Sequence, residues 1–148
     1  MKLETHIIKK SFDSVKPVAD LFIEHFYNTL FQNYPKSKTL FSNSNMKSQK
    51  QALIKSLSFI VDNIENPNHL KPYLEKLGKK HAQYGVTDQH YEWVGASLIN
   101  TFEYFFDENW SEKLESQWLA AYSFIVETMK DGALKAKKIF TEKNNVPR

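Results

Sequence analysis

The apolar positions of this chain repeat at three and four residues almost from end to end. That is the period of an amphipathic helix, and no stretch alternates as a half-buried strand would. Ile7, Ile8, Phe12 and Val15 mark the inward face of a first helix over about 4–16, which Pro17 ends or bends. A second helix over about 18–32 offers Leu21, Phe22, Phe26, Tyr27 and Leu30 to a core. Pro35 opens a short helical turn that closes on Leu40 and Phe41, and the polar run 42–48 reads as a loop. A longer helix over about 47–65 carries Gln49, Leu53, Leu57, Ile60 and Ile64 on one face, until Asn66, Pro67 and Asn68 break it. The next stripe is Leu70, Leu74 and Leu77, and Gly85 is a plausible stop beyond it. Thr87 or Asp88 can cap a helix that holds Tyr91, Val94, Leu98, Ile99, Phe102, Phe105 and Phe106. Ser111 caps a last helix with Leu114, Trp118, Ala121, Tyr122, Ile125, Val126 and Met129 inside. The expected fold is all-α, with about six or seven helices and short connections. The domain is expected over 1–138, followed by a polar, basic, frayed tail over 139–148.

One position breaks the apolar rule. His81 continues the stripe of Leu70, Leu74 and Leu77 at spacings of 4, 3 and 4, where another leucine would be expected. An imidazole on that face turns toward the core and needs a partner, because an unpaired buried polar group costs about 1–3 kcal/mol. A backbone carbonyl is the ordinary partner. A metal is the other, since neutral imidazole is the commonest metal ligand.

Composition narrows the choices. The chain has 148 residues, 41% hydrophobic and 25% charged, which suits one ordinary globular domain rather than a disordered segment. Aromatic residues reach 14%, more flat apolar bulk than a small core needs and suited to a flat apolar ligand. With no cysteine there is no disulfide framework, thiolate metal site or thiol nucleophile, which fits a reducing cytosol. The amino terminus lacks a signal-peptide core, and no apolar run approaches the roughly 20 residues of a membrane span. A cytoplasmic protein off the membrane is therefore expected. The net charge of +3 comes from scattered lysines, and Arg148 is the only arginine, so nucleic-acid binding is not expected.

Four features then fall together: Tyr34–Pro35 leading to Leu40–Phe41; the run FYNTLF around Tyr27; Gln49 and Leu53 one turn apart; and LGKKHAQYGVTDQHY, which holds His81 and Tyr91. From about Ile7 to Met129 the chain resembles a globin. It is most similar to the single-domain bacterial globins related to the haem domain of flavohaemoglobins. The resemblance implies haem b (iron protoporphyrin IX), with His81 as the proximal iron ligand and Phe41 packed flat on the ring. It also implies that Leu53, Leu77, Val86, Tyr91, Val94 and Leu98 line the haem. Tyr27 and Gln49 resemble the distal hydrogen-bonding pair, with Leu53 walling that side. Phenol and amide are fixed donors that stabilise negative charge on a bound O2 in a pocket of low dielectric.

The resemblance has gaps. Flavohaemoglobins carry a flavin- and NAD-binding reductase after the globin, and a chain ending at Arg148 leaves no room for one. Turnover is therefore expected to need an external reductase. Related catalytic domains also join the proximal histidine to a tyrosine and a glutamate. Tyr91 matches the tyrosine, but the glutamate's place falls at Ala133, with Asp131 and Glu127 as imperfect substitutes. The first expectation is thus reversible binding of O2, with nitric oxide or carbon monoxide as further ligands, by a monomer or weak homodimer. The alternatives are oxidation of nitric oxide to nitrate with an outside reductase, haem-based sensing, and a haem-free helical module. His81 argues against the last.

Overall fold

Each strongly periodic stretch folds as a helix. A computed structural model describes residues 3–144, and its six α-helices are α1 (Thr5–Val15), α2 (Ala19–Asn33), α3 (Met46–Asp62), α4 (Pro67–Gln83), α5 (Asp88–Phe106) and α6 (Glu112–Asn144). Three 3₁₀ turns, Lys16–Val18, Pro35–Phe41 and Asp107–Asn109, lie between them, and there is no strand among the described residues.

Local chemistry sets most of the boundaries. Asn45 starts α3 by accepting the Ser48 N–H at 3.1 Å, so the expected loop over 42–48 closes at Asn45. Pro67 opens α4, where its missing N–H costs nothing. Gly85, at φ 85°, terminates α4 in the left-handed conformation that favours glycine. Thr87 caps α5 by accepting the His90 N–H at 3.4 Å, while the Thr87 N–H donates to His90 Nδ1 at 3.0 Å. His90 thus takes the part that glutamate plays in a capping box. Ser111 caps α6 through the Leu114 N–H at 3.1 Å.

The core lies where α1, α2, α5 and α6 meet. Ile8, Phe12, Phe22, Ile23, Phe102 and Trp118 are all buried there. Each such side chain contributes about 1.5–3 kcal/mol by leaving water. Trp118 stacks on Phe102 with ring centres 4.2 Å apart, and its indole N–H donates to Ser11 Oγ at 2.9 Å. One expected core residue is corrected: Leu21 is 63% exposed, and Ile23 is buried instead. At 100° per residue, the row Phe22–Phe26–Leu30 carries Ile23 and Tyr27 on its flank and turns Leu21 outward.

α4 lies mainly along α6, and α2 crosses α5. The α4–α6 crossing is closed by two glycines. A Cβ added at Gly78 would come within 1.8 Å of the Met129 carbonyl oxygen, and one added at Gly132 within 2.2 Å of the Glu75 carbonyl oxygen. Two backbones in direct contact fix where α4 sits, and α4 carries His81.

α6 stays helical to Asn144, through most of the stretch expected to fray. Alanine, leucine and lysine dominate residues 133–138, and all three are strong helix formers. Residues 145–148 of the expected tail lie outside the described residues. No described helix is long and apolar enough to cross a membrane.

Candidate functional site

His81 stands in the last turn of α4, half-buried, with Nδ1 2.9 Å from the Leu77 carbonyl oxygen one turn back. A carbonyl only accepts, so Nδ1 carries the hydrogen and Nε2 is left with the lone pair. No described residue hydrogen-bonds Nε2. The same turn is held from the other side, since the His81 carbonyl accepts the Val86 N–H at 3.0 Å. Burial holds the imidazole below its ordinary pKa, partly offset by the Leu77 carbonyl.

That direction has a measurable consequence. A histidine whose pKa falls on folding binds protons better when unfolded, so its contribution is intact above about 6.5, the ordinary value, and is lost as pH falls through the folded value. The haem-free chain should therefore lose unfolding free energy from pH 7.5 to pH 5.5 more steeply than a His81→Gln variant does. Urea titrations of both at the two pH values check this, and equal slopes would refute it.

Tyr27 and Gln49 form a second cluster. The Tyr27 side chain, only 2% exposed on α2, accepts the Gln49 Nε2–H from α3 at 3.1 Å. The phenol oxygen is thereby engaged while its own hydrogen has no acceptor among the described residues. Burial raises the Tyr27 pKa, against a smaller lowering by Gln49, so the phenol stays a neutral donor at physiological pH. Phe41 presses edge-on against the Tyr27 ring at 5.6 Å and 86°, and Phe31 contacts both rings at 5.8 and 5.6 Å. Phe31 was missed in the sequence. Its position four residues after Tyr27, on the same helix face, was the available signal.

The remaining candidate residues divide between two packed groups. Phe41, Leu53, Val94 and Leu98 pack with the main core, while Leu77 and Tyr91 pack with Leu70, Leu74 and Met129. Leu98 is buried, but Phe41, Leu53, Leu77, Val86, Tyr91 and Val94 are only half-buried. These inward-patterned apolar groups are left partly exposed, surface that a flat apolar molecule laid against them would cover. Among the described residues no three of His, Asp or Glu gather around a metal-sized space. His81 could therefore hold a metal only if other ligands arrive with it, as they do in a porphyrin.

Tyr91 lies beside His81 with rings 6.3 Å apart and nearly parallel, at 11°. Its hydroxyl does not hydrogen-bond the imidazole. Ala133 does share a cleft with Tyr91, whereas Asp131 and Glu127 are exposed on α6 and supply no carboxylate to it.

Comparison with known proteins agrees with this fold. A family model described as Globin matches residues 24–129. A flavohemoprotein of Vibrio cholerae is 26% identical over 133 residues, covering 87% of this chain and 34% of the relative. One from Rhizobium meliloti is 29% identical over 132 residues, covering 83% and 33%. The chain thus spans about a third of the length of these curated relatives. Among solved structures, a bacterial globin from Campylobacter jejuni is 27% identical with a TM-score of 0.76, covering 90% of this chain and 96% of that one. An engineered carbene transferase from Rhodothermus marinus, 20% identical with a TM-score of 0.81 over 95% and 99%, shares the fold. With the family model covering most of its length and six α-helices and no strand among its described residues, this chain belongs to the globin family.

Proposed function

We propose that this chain is a haem-binding globin that reversibly binds O2 and other diatomic ligands, nitric oxide and carbon monoxide among them. His81 would hold the iron through Nε2. Phe41, Leu53, Leu77, Val86, Tyr91, Val94 and Leu98 would line the ring. When bound, haem would supply an iron able to take up a small gas molecule. The residues of the chain do the rest. The Leu77 carbonyl fixes the tautomer and orientation of His81. The Gln49 amide holds the Tyr27 oxygen, which polarises the phenol and leaves its hydrogen as the available donor. That buried, half-satisfied hydroxyl is the observation that carries the proposal.

A donor to a partly charged acceptor contributes about 1.5–3 kcal/mol. Tyr27→Phe should therefore raise the O2 dissociation rate of the haem-loaded protein by about 10- to 100-fold. Flash photolysis or stopped-flow displacement by carbon monoxide measures it. An unchanged rate would remove Tyr27 from the proposal.

A second reading is nitric oxide oxidation with electrons from a separate reductase. The flavohemoprotein relatives favour it. The Tyr91 hydroxyl unbonded to His81, and Ala133 opposite it, weigh against it.

A further inference from the structure

A cleft of about 770 Å³ opens beside Tyr91, between the end of α4, the start of α5 and the later turns of α6. Neither Tyr27 nor Gln49 borders it. Ala82, Val86, Ala133 and Leu134 give it apolar walls, and Lys79, Lys130 and Lys137 stand around it. Asp88, the only carboxylate among its lining residues, forms an ion pair with Lys130 at 3.0 Å. Lys79 and Lys137 have no ion-pair partner among the described residues. The Tyr91 hydroxyl has no hydrogen-bond partner among them either, and Lys130 Nζ lies 5.5 Å from the centre of its ring.

We propose that this cleft binds a long-chain carboxylate. The alkyl chain would lie on the alanine, valine and leucine wall. The carboxylate would accept from the Tyr91 hydroxyl and face the lysines, whose own stems extend the apolar surface. A neutral hydrocarbon would leave the hydroxyl and the cations unmatched, a small inorganic anion would leave the apolar wall in water, and a cationic amphiphile would meet like charge. The cleft shares Val86 and Tyr91 with the proposed haem lining, while Tyr27 and Gln49 are not among its lining residues, so it does not depend on what the distal pair binds.

The test is calorimetric titration of the haem-loaded protein with dodecanoate below its micelle concentration, beside dodecyltrimethylammonium. One saturating site is expected for dodecanoate, with the ammonium binding at least about tenfold more weakly. Ala133→Phe, which fills the cleft, should weaken dodecanoate by a similar factor. That side chain could disturb α6, so the paired substitutions Lys79→Glu and Lys137→Glu, both on exposed side chains, provide the second arm. They should weaken dodecanoate and tighten the ammonium. Absent saturation, equal binding of the two amphiphiles, or unchanged binding after the charge reversal would overturn the proposal. So would a stable dimer in sedimentation that takes up no dodecanoate, which would assign the cleft to a second copy of the chain.

Discussion

Replacing His81 with Ala will cost this protein its haem. Wild-type chain reconstituted with haem should give ferric, ferrous and O2-exposed spectra characteristic of a histidine-ligated iron, and the variant should not. Loss of groups that merely orient a metal ligand lowers metal affinity by 10- to 100-fold, so loss of the ligand itself should exceed about 100-fold. The geometry makes the result specific. Nδ1 is committed to the Leu77 carbonyl, so only Nε2 can bind iron, and it is the only unpaired ring nitrogen of this residue. Added imidazole should restore part of the variant's ferrous spectrum by occupying the space the side chain has left. A variant whose affinity and spectra match the wild type would show that another residue holds the iron. A wild-type chain that takes up no haem would leave a globin-shaped helical domain without its cofactor.

Gly78→Ala should be among the most destabilising single methyl additions in the chain. The new Cβ would sit 1.8 Å from a carbonyl oxygen of α6, and the atoms it meets are backbone. A side chain can rotate away from such a clash, but here a whole helix must move. The cost should reach the upper end of what overpacking does, about 3 kcal/mol or more. Gly85→Ala is the control. Nothing lies within 4 Å of a Cβ there, and only the φ of 85° opposes it, which costs roughly 1–2 kcal/mol. Urea unfolding of the two haem-free variants should therefore rank Gly78→Ala well below Gly85→Ala. The opposite order would mean that α4 and α6 can part easily. Since α4 carries His81, the Gly78 variant should also bind haem more weakly than its remaining folded fraction explains.

The helices and the central histidine were legible because their signals are local. The spacing of Leu70, Leu74, Leu77 and His81 is written on one helix face, and the carbonyl that fixes the imidazole belongs to that same stripe. Thr87 and Ser111 were readable as caps because a cap depends on residues only three positions away. Leu21 was misplaced because neighbouring rows on α2 look alike until another helix chooses between them. The end of α6 was underestimated because polarity marks exposure and does not break a helix. The close packing of Gly78 on Met129 and of Gly132 on Glu75 was hidden altogether, since nothing in either segment announces that two distant backbones will touch. The bond between Tyr27 and Gln49 joins two helices; the resemblance named the two as a pair of donors to a ligand, and nothing in either stretch announced that one would donate to the other.

The crossing of α4 and α6 also bears on the order in which the molecule comes into being. Gly78 meets α6 at Met129, and the crossing is complete only at Gly132, which packs on Glu75 and lies 132 − 78 = 54 residues after Gly78. α1 depends on the same late segment, because Ser11 pairs with Trp118 and the Glu4 N–H donates to Gln117. At roughly 5–20 residues per second of synthesis, the histidine helix waits about 3–11 s for the surface that seats it. During that interval Leu70 and Leu74 have Ile60 of α3 and Ile64 just past its end to pack on but not Met129, and the helix that carries His81 lacks the backbone it is seated against. In the proposed reading, haem capture therefore waits until the sixth helix locks both the first and the fourth.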